Sequence, residues 1–213
     1  MQQKNTDVAL GCYLFFKRVF DVLSSLLAII LLSPVLILCL LVKWLEDFHN
    51  PLYISERVGK DGKTFKFFKI RTMRPDAQEI TKQLVQDNLM EMNGPICRIK
   101  NDPRITKFGK FLRRTSLDEL PQLFNVLNGT MSVVGPRPPL PSEVEKYTQR
   151  EWERLQVKGG LLCLWQIEKN RNDLPFEKWL ELDMEYIRKR SFWLDIKIIV
   201  KGAWAVIFHS GGE

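Results

Sequence analysis

Cysteine and histidine are scarce in this 213-residue chain. Cys12, Cys39, Cys97 and Cys163 stand far apart, no pair has metal-ligand spacing, and Cys39 lies inside an apolar run. A zinc site and a disulfide framework are therefore disfavoured, and reduced thiols facing the cytoplasm are the default reading. His49 and His209 have no partner motif and read as surface or packing residues. Internal repeats, low-complexity tracts and long linkers are missing, so one soluble domain docked on one membrane element is the simplest organisation. A cleaved signal peptide fits poorly: Lys17-Arg18 lie far from Met1, the apolar run is too long, and no small-residue cleavage site follows it. The usual nucleic-acid-binding motifs are lacking as well.

What is present begins with charge. The formal net charge is +7, an excess that suits nucleic acid, an anionic membrane surface or a phosphorylated substrate, or serves solubility alone. Next comes the apolar run from Val19 to Val42, with a single charge, Asp21, near its start and Ser33-Pro34 near its middle. As a straight helix this run rises roughly 36 Å, ample for a hydrocarbon core of about 30 Å. Pro34 lacks an amide hydrogen and its ring clashes with the preceding turn, which predicts a kink, and the Ser33 hydroxyl can serve a carbonyl freed there. Lys17-Arg18 flank one end and Lys43 the other, so charge asymmetry drives neither end across. On the residues alone a spanning helix is slightly favoured over one that enters and returns to the same face.

Residues 52 to 74 read as a strand pair around the turn Gly59-Lys60-Asp61-Gly62. Helical pattern covers 76 to 92, Ile105 to Leu112, Leu120 to Leu127, about 142 to 156, and 176 to 190. Val133 to Pro139 is expected to be extended, because prolines restrict their own backbone and the residue before them. Trp193 to Phe208 combines Trp and Phe with Lys197 and Lys201, the composition of an interfacial amphipathic helix, although an ordinary core helix fits equally.

The chemistry-bearing segment is Arg113-Arg114-Thr115-Ser116-Leu117-Asp118-Glu119-Leu120-Pro121-Gln122. One reading makes Ser116 and Glu119 a capping box, which renders both acids structural. Pro121 weakens it, since proline falls where an intrahelical hydrogen bond is needed. A helix starting near Pro121 instead leaves Asp118 and Glu119 beside its first turn, where negative charge is favoured. The surrounding cations, Arg113 and Arg114 included, form salt bridges, a solvated basic face or a phosphate grip. Arg137, fixed between Pro136 and Pro138, suits a phosphate grip, and Lys69 and Arg71 share one strand face if the strand continues that far.

Glu56-Arg57-Val58-Gly59-Lys60, Lys69-Ile70-Arg71-Thr72-Met73, Asn101-Asp102-Pro103-Arg104, Ser116 to Leu123, Asn125-Val126-Leu127 and Met131 to Pro138 resemble the bacterial sugar transferases, the monotopic phosphoglycosyl transferases. The resemblance runs from about Lys17 to the C-terminus and matches the minimal form. It implies an α/β fold, mostly helical with a small sheet. By this resemblance residues 1–48 are expected to form an N-terminal segment with a re-entrant membrane helix broken at Ser33-Pro34, and residues 49–213 a cytoplasmic catalytic domain with interfacial C-terminal helices. It also implies transfer of a phospho-sugar from a UDP-sugar to polyprenol (undecaprenyl) phosphate, releasing UMP, at the cytoplasmic face of a bacterial inner membrane, as the first membrane step of surface glycan assembly.

By the same resemblance Asp118 is the nucleophile, forming a covalent phospho-sugar intermediate. Glu119 helps bind Mg2+, with Asp118, or takes a proton from the lipid phosphate. Lys69, Arg71, Arg113, Arg137 and Arg171 match phosphate- or substrate-binding positions. A homo-oligomer is compatible with this pattern and nucleic acid is not a partner. Lys158 to Cys163 and Glu168 to Asn172 depart from the family pattern in a region bearing on nucleotide or sugar. Two rival classes are direct glycosyl transfer releasing UDP and a non-catalytic basic module tethered to a membrane.

Overall fold

A computed structural model describes residues 2–87, 91–93, 96–99, 102–168 and 174–208, with side chains described for 10–87, 99, 102–168 and 174–205. The chain opens with α1 (Gln2–Asp47), one helix that continues through Pro34. Proline removes the donor that would serve the Ile30 carbonyl, and the Ser33 hydroxyl donates to that same carbonyl at 3.0 Å. The orphaned acceptor is thus satisfied inside an otherwise apolar stretch.

One stripe of α1 is buried, marked by Asp21, Ser25, Cys39 and Lys43. These residues recur at helical spacing, so they share a face. The opposite face exposes Leu23, Leu27, Ile30, Leu31 and Ile37. Leu10–Asp47 is long and apolar enough to cross a membrane. Both ends of this segment nevertheless grip the same domain. Near the start, the Arg18 guanidinium donates to the Val126 and Leu127 carbonyls at 2.7 and 2.8 Å. Asp21 accepts from the Ser132 hydroxyl and the Val133 amide at 2.8 and 3.0 Å, and Lys17 pairs with Asp195 at 2.8 Å. At the far end, fully buried Lys43 pairs with Glu46 and Asp47, and Asp47 pairs with Arg71.

After α1, β1 (Leu52–Val58) and β2 (Thr64–Ile70) form an antiparallel hairpin in which Tyr53 faces Lys69, Ser55 faces Phe67 and Arg57 faces Phe65. Asp61 and Gly62 turn it with positive φ. Helix α2 covers Ala77–Gln86, shorter than the expected 76 to 92. Where helix was expected, β3 (Glu91–Asn93) pairs instead with β4 (Ile96–Arg98). Then follow α3 (Lys107–Arg114), α4 (Gln122–Leu127) and β5 (Ser132–Val134). The region expected as one helix over 142 to 156 breaks into α5 (Pro141–Val144), α6 (Gln149–Trp152) and a 3-10 turn over Glu153–Gln156. Two separate helix starts cause the break: Glu143 accepts from the Leu140 amide and Glu151 from the Thr148 amide.

The chain closes with β6 (Gly160–Leu162), α7 (Phe176–Lys189) and α8 (Phe192–Phe208). Strand β6 pairs in parallel with β5. The fold is mostly helical, and its strands form three separate pairs among the described residues.

The main core gathers Val126, Met131, Val134, Leu180, Tyr186 and Ile198, with Phe67 from the hairpin. Its outer helix, α8, buries Ile198 and exposes Trp193, Val200 and Trp204. Lys197 and Lys201 are also exposed, so the outward surface has the mixture suited to a bilayer interface.

Candidate active site at the apolar helix

Strand β2 delivers Lys69 and α3 delivers Arg113, while a 3-10 turn over Leu117–Glu119 delivers the two acids. Ser116, just before this turn, adopts φ 55°, the left-handed region that costs a non-glycine residue about 1 kcal/mol or more. That reversal ends α3 and swings Asp118 toward the hairpin. The Ser116 side chain caps nothing, so the capping-box alternative does not form. Pro121 sits at the N-terminal boundary of α4 and needs no donor there. The acids therefore lie in the turn immediately before α4.

Lys69 Nζ lies 2.7 Å from Asp118 Oδ2 and 3.9 Å from Glu119 Oε1. The two carboxylates differ in access: the Asp118 side chain is 2% exposed and that of Glu119 32%. Asn125 sets the spacing between the turn and the strand. Its side-chain amide donates to the Lys66 carbonyl at 2.7 Å and accepts from the Phe68 amide at 3.1 Å. One fully buried side chain thus satisfies two backbone groups on the free edge of β2 and locks α4 beside it.

On the other side, α3 closely approaches the segment that follows β2. A Cβ on Gly109 would lie 2.0 Å from the Thr72 carbonyl oxygen, so only glycine fits. Thr72 then accepts from Arg113 Nε through its hydroxyl at 3.0 Å. Burial lowers the Arg113 pKa, and Asp118 opposes that shift.

The floor of the site is α1. Cys39, Ile70 and Leu112 form a buried cluster with Leu36, Leu40, Phe108 and Leu117 packed on it. Ile70 follows Lys69 and Leu117 precedes Asp118, so the backbone that carries both charged groups is anchored to the apolar helix. Arg137 is exposed on the Pro136-Arg137-Pro138 loop. Gly135 and Gly160 let β5 and β6 approach so closely behind this loop that a Cβ on Gly160 would fall 2.1 Å from the Gly135 nitrogen. The divergent segment from Lys158 to Cys163 thus forms the strand that backs Arg137.

Of the residues expected from sequence, Lys69, Asp118 and Glu119 come together, Arg113 stands in electrostatic reach of Asp118, and Arg137 acts on Arg113 and Arg57. Arg71 is engaged elsewhere: β2 ends at Ile70, and Arg71 donates to both Asp47 oxygens at 2.6 and 2.7 Å and to the Asn50 carbonyl at 2.8 Å. It ties α1 to the hairpin. Arg171 lies outside the described residues. Arg57, Thr72 and Asn125 join these residues only through the fold. A polar residue between apolar ones, as in Phe124-Asn125-Val126, is the signal that marks Asn125.

No group of three or more His, Cys, Asp or Glu side chains able to hold a metal occurs among the described residues. Asp118 and Glu119 offer two carboxylates, which fits Mg2+ held by one or two carboxylates plus substrate phosphates. Carboxylate oxygens are hard donors of the kind that suit Mg2+.

Two adjacent carboxylates, a lysine and a buried arginine are thus gathered beside an apolar helix. The chain belongs to the bacterial sugar transferase family, whose model matches residues 12–209. It is 40% identical over 201 residues to the galactosyl transferase CpsE of Streptococcus agalactiae, covering 94% of this chain and 44% of that protein. It is 41% identical over 205 residues to the undecaprenyl-phosphate galactose phosphotransferase of Salmonella typhimurium, covering 92% of this chain and 41% of that enzyme. With the exopolysaccharide production protein ExoY of Rhizobium meliloti the identity is 37% over 197 residues, covering 92% of this chain and 87% of ExoY. The chain thus spans less than half the length of the first two relatives and most of the third.

Proposed function

We propose that this chain transfers a sugar 1-phosphate from a UDP-sugar to polyprenol phosphate, giving a polyprenyl-diphospho-sugar and UMP. The observation that carries this reading is the Lys69–Asp118 contact at 2.7 Å, in a turn that rests on the apolar helix. Relatives named as an undecaprenyl-phosphate galactose phosphotransferase and a UDP-glucose:undecaprenyl-phosphate glucose-1-phosphate transferase support it.

In the first step an Asp118 oxygen attacks the sugar-side phosphorus. A P–O bond forms, the bridging P–O bond breaks, and its electron pair leaves on the phosphate of UMP. In the second step an oxygen of the polyprenol phosphate attacks the same phosphorus, and the Asp118 carboxylate leaves. Lys69 orients the nucleophile, Arg113 and Arg137 offset phosphate charge, and Glu119, the more accessible acid, accepts a proton from the lipid phosphate. Mg2+ held by Glu119 and Asp118 would supply charge neutralisation at the phosphates.

Contacts at the two ends of α1 support the membrane reading. Arg18 and Asp21 at one end of the apolar stretch and Lys43 and Asp47 at the other all bind one domain. A helix that crosses a bilayer separates its ends by roughly 30 Å of hydrocarbon, so contacts at both ends favour a helix that enters and returns to one face. Pro34 and the Ser33–Ile30 bond mark the place for the bend. We assign that face to the cytoplasmic side of the bacterial inner membrane, where the product starts a surface glycan.

The test is to incubate the purified protein with a panel of UDP-sugars, polyprenol phosphate and Mg2+. Release of UMP with formation of a lipid diphosphate sugar supports the proposal. Release of UDP assigns direct glycosyl transfer instead.

A further inference from the structure

Arg57 has a side chain that the proposed reaction has so far left unused. Cross-strand register places Arg57, Ser55, Phe67 and Lys69 on one face of the hairpin. The Arg57 guanidinium does not stay over Phe65, its direct partner. It lies 5.1 Å from the centre of the Phe67 ring, one rung nearer Lys69, where a cation on an aromatic face is favoured. Its Nη1 donates to the Pro138 carbonyl at 3.2 Å, which sets it against the Arg137 loop.

Among the described residues no carboxylate lies within ion-pair distance of Arg57, and its buried Nε has no hydrogen-bond partner. The buried Ser55 hydroxyl on the same face also has none. Arg137 has no ion pair among the described residues either. Burial first, and then the charge of Arg137, push the Arg57 pKa down to about 10. A buried guanidinium with an unpartnered donor, beside a second guanidinium, is costly unless an anion joins them.

We propose that Arg57, with Ser55 and Arg137, binds the nucleotide-side phosphate of the donor diphosphate. This assignment rests on the proposed function. Lys69 and Asp118 mark where the sugar-side phosphorus reacts, and Arg57 leans toward that point from the next rung. Charge accumulates on the nucleotide-side phosphate as the bridging bond breaks, so a paired arginine site there stabilises the leaving group.

Binding of inorganic pyrophosphate and of UMP to the full chain in nanodiscs tests the assignment, measured by calorimetry on the unaltered protein, Arg57→Met, Arg57→Lys and Ser55→Ala. The expected losses in affinity are roughly 10-fold or more for Arg57→Met and less for Arg57→Lys and Ser55→Ala. If Arg57→Met fails to melt cooperatively, Arg57→Lys decides, with a loss of about 3-fold or more expected because a lysine cannot reproduce the fork. Unaltered affinity in the deciding variant, or no binding of either probe by the unaltered protein, overturns the proposal. UMP release by Arg57→Met with an unchanged KM for the donor overturns it too while leaving the reaction intact. Arg57-dependent binding of both probes in a protein that releases UDP keeps the anion site and removes the proposed reaction.

Discussion

Lys69 Nζ and Asp118 Oδ2 are 2.7 Å apart, one on the last rungs of a hairpin and the other in a turn strained by the left-handed Ser116. The contact positions a nearly inaccessible carboxylate through a lysine that is itself 25% exposed. Replacing this ammonium leaves Asp118 without its close cation and misaligned for attack. Lys69→Met is expected to lower turnover by ~100-fold or more, measured as UMP release at saturating donor, with far-UV circular dichroism unchanged. Turnover within about threefold of the unaltered protein would remove Lys69 from the mechanism.

Asn125 is expected to act on stability through the strand edge. Asn125→Leu leaves the Phe68 amide and the Lys66 carbonyl without partners. The expected loss is about 3 kcal/mol, read as a lower midpoint in thermal or denaturant unfolding. Asn125→Asp keeps the acceptor for Phe68 and should fall between the two.

Arg71 gives the opposite expectation from Lys69. Its guanidinium is committed to Asp47 and Asn50, so Arg71→Met should loosen the C-terminal end of α1 and lower stability by about 2 kcal/mol. Asp47→Asn should do much the same, and the double variant should cost less than the sum. The KM for the UDP-sugar should stay within about twofold in both single variants. A large rise in KM confined to Arg71→Met would return this arginine to the phosphate site.

Topology has its own test. With the four native cysteines replaced by serine, single cysteines introduced at Gln3 and Gln83 should react with an impermeant maleimide from the same side of sealed vesicles. Labelling from opposite sides would establish a spanning helix. Pro34→Leu should shift the position 3 label toward the far side, because it restores the amide donor for Ile30 and removes the ring that favours a bend.

Much of this arrangement can be read along the chain. The hairpin is marked by alternating residues around Gly59 to Gly62, the long helix by its apolar run, and the two acids by their place before Pro121. Local rules fail where partners are distant. The alternation that put Arg71 beside Lys69 assumes a strand extending past Ile70, but Asp47, at the C-terminal end of α1, claims Arg71 once helix and hairpin pack. Asp21 is visible as a lone charge in an apolar run, yet its partners, Ser132 and Val133, are set only by tertiary packing. Helix pattern over 142 to 156 ignores the two side-chain caps at Glu143 and Glu151 that divide it. The surroundings of Arg57, the Phe67 ring and the Pro138 carbonyl, are set only when β1, β2 and the Pro-Arg-Pro loop meet.

Asp118 as the atom donor to phosphorus is the central claim, and rapid quenching with a donor labelled in the sugar phosphate, without polyprenol phosphate, tests it most directly. The account predicts that label accompanies one peptide containing Asp118, that its mass gain equals a sugar phosphate, that polyprenol phosphate discharges it, and that Asp118→Asn acquires none. Lipid product formed at a normal rate by Asp118→Asn would contradict it.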